Sequence, residues 1–275
     1  GVSGAGVWGR WKAFRRQLEE KGWLDLTGPL RWGGSAAAPD LELVLFEELE
    51  KRGIGWFLNG GVSALRQALQ EWGTEAQQQQ ILTPMAGGQV TIWYTLVELD
   101  TEPDPGDLGV QAREDGDDYV FDGEGLFVGL GPRPDYLWTL ALLRPDERSH
   151  NASRYSSIEG VSEWATSFLV PMGLKGIAVT TPRQLAPGEA HRVRFDQVRV
   201  PRYCILGPQG EGPLLMESAL RAEKVARPPT SPGPEVDSLL RYARETTRDG
   251  VPLSEEPSLQ QLQMQVYIDS RITRL

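Results

Sequence analysis

The chain has 275 residues, of which 40% are hydrophobic and 24% charged, enough for more than one core and typical of a globular protein. Its net charge of −10 excludes a general nucleic-acid binder, which needs a basic face, and obliges any anionic ligand to find a local basic pocket. One cysteine, Cys204, rules out an intrachain disulfide, and with only His150 and His191 beside it a tetrahedral zinc site is not expected.

Residues 1–96 carry helical periodicity. Trp11, Phe14 and Leu18 recur at helical spacing, and Gly22 is placed to cap that helix. Pro39 suits a helix start, Leu41, Val44, Leu45 and Leu49 then line one face, and Gly53 is a stop. Val62, Leu65 and Leu69 mark a third helix. Thr74 with Gln77 spells a capping box that opens a fourth, and Pro84 with Gly87-Gly88 closes the region. Trp11, Trp23 and Trp56 are expected to pack these helices.

From Thr91 to Leu99 the composition turns to β-formers. Asp115-Gly116 and Asp122-Gly123 read as hairpin turns on either side of Tyr119-Val120-Phe121. Leu137 to Leu143, Ser167 to Val170 and Ile177 to Thr180 are further strands. Along His191 to Val200 the apolar positions are Val193, Phe195, Val198 and Val200, and the slip from odd to even predicts a β-bulge. Short strands with regular turns fit a barrel or a sandwich. Helical spacing returns in Leu214 to Val225 and Ser258 to Leu275, separated by a linker or excursion at Pro228 to Pro234. The last segment reaches Leu275 without a cap, the pattern of an interrupted domain. The expected class is α+β: a helical domain over 1–96, a β-barrel over 97–210 and the beginning of a second helical domain over 211–275. No apolar run reaches membrane-spanning length, and Gly1 to Gly9 lacks the basic and apolar regions of a secretory signal, so a cytoplasmic protein without membrane insertion is expected.

Several motifs occur in order along nearly the whole chain. They are Gly73-Thr74-Glu75 with Gln77, Thr101-Glu102-Pro103 with Gly106-Asp107, and Asp115-Gly116-Asp117 with Tyr119-Val120 and Gly123. Phe168-Leu169-Val170, Gly176-Ile177-Ala178-Val179, and Phe195-Asp196-Gln197-Val198-Arg199-Val200-Pro201 with Leu206-Gly207 follow. Their order and spacing resemble the acyl-CoA dehydrogenases, with the family's G-T-E-x-Q helix start, its T-E-P-x-x-G-S-D flavin loop and its F-D-D-V-R-V-P…L-G strand. The stretch from Gly250 to Pro257 and the long linker look most like the bacterial branch whose members can assemble from two unlike subunits.

The resemblance implies helices, a barrel and helices; FAD as hydride acceptor; an acyl-CoA thioester as substrate in lipid metabolism; and a carboxylate as general base. It places Leu99, Thr101, Phe127 and Gly129 at the flavin and Asp107 and Lys224 at the substrate. Glu223 becomes the base, because Leu220-Arg221-Ala222-Glu223-Lys224 is similar to a family L-x-x-E-R context, with Lys224 in place of Arg. The implied partner is a paralogous acyl-CoA dehydrogenase subunit or a second copy of the chain.

Departures from the family pattern open an alternative. Gly106 runs straight into Asp107, without the family's Ser. In the strand that resembles G-x-K-x-W-x-T, Phe127 stands at the Trp position and keeps an aromatic face, whereas Gly129 stands at the Thr position and has no hydroxyl. Glu98 and Asp100 bring two carboxylates beside the expected flavin edge, where they would repel a reduced, anionic flavin. Only the start of the family's last helical domain is matched. The alternative is a non-catalytic partner or scaffold subunit that has lost the flavin; a piece of a longer enzyme is a third reading.

Each candidate also has an ordinary role. Glu223 fits a solvated helix glutamate, Thr101 a loop cap and Phe127 a barrel aromatic. Arg192, Arg194, Arg199 and Arg202 fit either CoA phosphates or a solvated strand face. Gly4-Ala5-Gly6-Val7-Trp8-Gly9 spells a dinucleotide fingerprint without the strand it requires, and Gly207 to Gly212 reads as a turn.

Overall fold

A computed structural model describes residues 4–52, 54, 62–95, 109–129, 133–143, 165–180, 190–226 and 233–272. Helix α1, Gly4–Glu20, buries Trp11, Arg15 and Leu18. It ends as its sequence predicts: Gly22 takes φ +67, and the Gly22 and Trp23 amides donate to Glu19 and Leu18 carbonyls at 2.8 Å, a Schellman stop. Trp23 does not pack as expected. It is exposed because its ring lies on the surface under the Lys21 ammonium, 5.1 Å from its centroid. Trp56 lies outside the described residues.

Helix α2, Pro39–Glu50, begins on its proline. Apolar residues occur on more than one of its sides; Phe46 and Leu49 are buried, and Leu41 and Val44 are exposed. Helix α3, Val62–Trp72, buries Ala64, Leu65, Ala68 and Leu69. Helix α4, Glu75–Ala86, opens with the complete Thr74/Gln77 capping box. The Gln77 side-chain amide also donates to Tyr203 O at 2.9 Å and Ile205 O at 2.7 Å, so the cap pins α4 to the turn after the last long strand. Pro84 does not stop this helix. It sits in the last turn, where few bonds remain to be broken, and Gly88 at φ +65 provides the exit.

Among the described residues seven strands follow: β1 Ile92–Thr95, β2 Val110–Asp115, β3 Asp118–Val128, β4 Tyr136–Leu143, β5 Ala165–Pro171, β6 Ile177–Thr180 and β7 Ala190–Pro201. Their order is β1-β4-β2-β3-β7-β6, with β5 beside β4, and a β1–β3 pairing closes the sheet on itself. Asp115 and Asp118 pair across the two-residue turn Gly116-Asp117, with Gly116 at φ +66. Asp122-Gly123, expected as a second turn, lies instead in the middle of β3. The predicted bulge is opposite it: pairing steps from Phe121↔Val198 to Gly123↔Phe195, so β7 carries one extra residue. Gln197 takes φ +49 there and its amide donates to Asp122 Oδ1 at 3.0 Å. Gly123 is at φ +112, and a Cβ would collide with the Gly109 carbonyl. Close backbone approach, not a turn, requires the glycine.

The strand β4 is buried on both faces. Leu137, Ala141 and Leu143 join Phe121, Phe127, Phe168 and Phe195 inside the sheet. Trp138 and Leu140 face outward to Leu65, Leu69 and Leu82 of α3 and α4 and to Leu215 and Met216 of α5, Gly212–Ala226. These elements form one compact unit, Gly1–Ala37 with Asn59–Glu223. The other unit is Ala38–Leu58 with Lys224–Leu275. It holds α2, α6 (Gly233–Glu245), the ribbon β8–β9 (Thr247–Arg248, Val251–Pro252) and α7 (Pro257–Ile272). Helix α6 packs on α7. It was hidden from sequence reading by the proline-rich stretch before it, although Val236 and Ala243, both buried, fall at helical spacing. Asp249-Gly250, with φ of +53 and +83, makes the β8–β9 turn. The architecture is α+β, with helices preceding and following a central sheet. Among the described residues, no helix is long and apolar enough to cross a membrane.

Candidate functional site

The segment carrying Leu99, Thr101 and Asp107 lies outside the described residues, as do Glu98 and Asp100. The strand end that leads into it is described. Register places Thr95 of β1 opposite Phe127 of β3, and Phe127 opposite His191 of β7. The Thr95 hydroxyl hydrogen-bonds the Thr139 hydroxyl at 2.7 Å. Phe127 is fully buried, its ring tilted against Phe195 with centroids 6.3 Å apart. As placed it is a core aromatic with no face open to a ligand.

Gly129 follows β3 directly. A Cβ there would run into Trp93 Cδ1 and stand 2.8 Å from Ile92 O and 2.9 Å from Trp93 Cα. The position therefore lacks both a hydroxyl and the space for one. Trp93, which fills that space, lies parallel to the His191 ring at 3.8 Å with an interplanar angle of 2°. This stack is what the sequence reading missed. The signal was the inward alternation His191, Val193, Phe195, with burial pattern B-e-B-e-B.

His191 is 8% exposed, and burial lowers its pKa below the ordinary histidine value. The folded state therefore resists protonation, while the unfolded chain takes up a proton below about pH 6.5. Stability unaffected above that value is lost as pH falls from it toward the folded-state pKa. His191→Phe keeps a ring on Trp93, so its melting temperature should decline less between about pH 7 and 5 than that of the parent; equal slopes in a melting series would refute this role.

Glu223 and Lys224 both fall in the last turn of α5; their side chains are outside the described residues. Arg192, Arg199 and Arg202, on β7 and its exit, lie on a solvated face and have polar or charged partners there. Arg192 meets Glu124 at 2.5 Å, Arg199 meets Asp115 at 2.6 Å and Asp118 at 3.2 Å, and Arg202 donates to the Tyr119 hydroxyl at 3.0 Å. The structure thus brings Phe127, Gly129, Trp93 and His191 together and does not place Glu223's carboxylate.

Residues 7–89 match the family model described as the N-terminal domain of acyl-CoA dehydrogenases. The chain is 26% identical over 230 residues to acyl-CoA dehydrogenase FadE26 of Mycobacterium tuberculosis, covering 83% of this chain and 54% of that protein. An acyl-CoA dehydrogenase crystal structure from Geobacillus kaustophilus superposes with a TM-score of 0.72 at 20% identity, over 94% of this chain and 67% of that one. The ChsE4-ChsE5 complex from Mycobacterium tuberculosis gives 0.70 at 20% identity, over 95% and 65%. The chain spans 54% to 65% of the length of three curated relatives that it matches.

Proposed function

From the premise that the chain belongs to the acyl-CoA dehydrogenase family, we propose that it is an oxidoreductase subunit for the FAD-dependent α,β-dehydrogenation of an acyl-CoA thioester. The observation that carries this reading is coverage in order: helices, closed sheet and helices run as in the relatives, with sequence similarity over 83% of the chain. In this proposal FAD supplies the hydride acceptor. Leu99 and Thr101 border the flavin, Asp107 and Lys224 contact the substrate, and Glu223 removes the α-proton. The three domains over 1–96, 97–210 and 211–275 and a cytoplasmic location belong to the same proposal.

Phe127 and Gly129 do not fit the flavin as placed, since one ring is enclosed and the other position is filled by Trp93. That observation favours a second reading, a partner subunit of this fold without flavin, working beside a paralogous acyl-CoA dehydrogenase subunit or as a homo-oligomer. The ChsE4-ChsE5 structure is of a complex.

An absorption spectrum of the purified chain from about 300 to 550 nm, with identification of any chromophore released on denaturation, separates the two. The first reading expects FAD, bleached by an acyl-CoA in the parent and not in Glu223→Gln. A colourless protein that takes up no added FAD would overturn it and leave the partner subunit, which should co-purify with a flavin-bearing chain.

A further inference from the structure

We propose that the cleft between α1 and the turn joining α4 to β1 binds a phosphate group. This does not rest on the dehydrogenase reading. The cleft has a volume of about 500 Å³ and is lined by Arg15, Arg16 and Arg133, with Trp11, Glu19 and Asp135. Three guanidinium groups thus border one cavity of a chain whose net charge is −10.

Arg15 is the unusual one. It is 8% exposed, its guanidinium lies over Trp11 at 4.6 Å from the ring centroid, and its buried Nε has no hydrogen-bond partner among the described residues. Glu19, one turn on, favours its charged form, but desolvation outweighs this and lowers the pKa to about 10. Arg15 is therefore still cationic at neutral pH. Arg15 is thus a largely desolvated cation that lines the cleft; a buried charge is unfavourable unless compensated, and an anion beside its guanidinium would offset that cost.

The surroundings offer no substitute. The amides of Gly87, Gly88 and Gln89 are committed to the Thr83, Met85 and Pro84 carbonyls. The Asp135 carboxylate is held by the Thr91 amide at 2.7 Å and its hydroxyl at 2.9 Å. Among the described residues Arg16 pairs with Glu20 at 3.4 Å, both largely exposed, and Arg133 reaches the Met172 carbonyl at 3.4 Å. Both rim arginines can turn to a ligand. The turn itself makes room for the guanidinium: at Gly88, φ +65, a Cβ would stand 3.0 Å from Arg15 Nε and 3.1 Å from Nη2.

Guanidinium presents a planar fork that matches phosphate, and three of them favour an anion carrying more than one charge over a single carboxylate. The cleft is in the size range of small-molecule sites and larger than inorganic phosphate needs. Free phosphate and a phosphorylated small molecule share this chemistry.

The test is thermal unfolding of the whole chain in sodium phosphate, in adenosine 5′-diphosphate and in sodium chloride of equal ionic strength. Phosphate should raise the melting temperature above the chloride control. Arg15→Met should raise it in phosphate-free buffer, by removing the buried charge, and weaken phosphate binding about tenfold or more. Arg133→Gln changes an exposed rim residue, so it tests the same site should Arg15→Met not fold, and it should weaken the phosphate response. A stronger response to the diphosphate assigns the site to a phosphorylated molecule, and an equal one to phosphate itself. No stabilisation beyond chloride by either anion, or a response undiminished in the variants, would overturn the proposal.

Discussion

Gly129→Thr is expected to destabilise the protein by about 2–4 kcal/mol, read as a lower urea midpoint at unchanged slope. The substitution introduces the residue that family resemblance would put there, so the naive expectation is a repaired ligand contact. Packing predicts the opposite. The new Cβ meets Trp93 Cδ1 on one side and the Ile92 carbonyl and Trp93 Cα, at 2.8 and 2.9 Å, on the other. Trp93 is fully buried and stacked on His191, so it cannot move aside without disturbing β7. Two of the three obstacles are backbone atoms, which a rotamer change leaves in place. Gly129→Ala should therefore account for most of the loss, because the clash begins at Cβ. Adding Trp93→Leu to Gly129→Thr should recover part of the stability and not all of it. A Gly129→Thr protein as stable as its parent would show that Trp93 does not occupy this space.

How far the sequence reached can be judged from particular residues. The Thr74/Gln77 cap, the Gly22 stop and the bulge in β7 were legible because each is a local device whose residue types have one physical use. Asp122-Gly123 was misread for the same reason in reverse. A positive-φ glycine serves a tight turn or a close backbone approach equally well, and only the neighbouring strand end at Gly109 decides between them. Helix α6 was missed where prolines 228, 229, 232 and 234 dominated the local pattern, although Pro234 itself is accommodated in the helix's first turn. The site was less legible than the fold. Motif spacing could assign Phe127 and Gly129 a position in a strand, but whether Phe127 faced a ligand or the core depended on which face of β3 the closure with β1 buried. The Trp93–His191 stack joins residues nearly a hundred positions apart; the alternation along β7 turns His191 inward, but nothing local to it names Trp93 as its partner. Arg15 is the clearest case: in sequence it is one of several arginines on an amphipathic helix, and only its burial against Trp11 and Gly88 sets it apart.

Phe168→Ala is expected to cost about 3–5 kcal/mol, a large part of the ~5–15 kcal/mol that holds a typical domain together. Phe168 is fully buried and sits edge-on to two other rings, with centroids 5.3 Å from Tyr119 and 4.9 Å from Phe121 and interplanar angles of 73° and 89°. Truncation loses the transfer energy of the ring, opens a cavity that strands on either side cannot collapse into, and removes edge-to-face contacts of about 0.5–1.5 kcal/mol each. Phe168→Leu refills most of the volume and should cost markedly less. Pairing each variant with Phe121→Leu measures how strongly the two rings are coupled, since residues in contact or sharing a cavity are non-additive. The consequence extends beyond the core, because β5 is the strut on which the start of α5 rests. Leu206 N–H donates to Ser167 O at 2.9 Å, Gly210 N–H to the Thr166 hydroxyl at 3.0 Å, and Gly212 lies so close that a Cβ would stand 2.7 Å from Ser167 N. Loosening β5 therefore loosens the helix that carries Glu223, the proposed base. Amide exchange should then rise first at Leu206 and Gly210 in Phe168→Ala, ahead of the β2–β3 hairpin. Uniform loss of protection across the sheet would instead mean that Phe168 supports the core as a whole and that β5 has no separate role in holding α5.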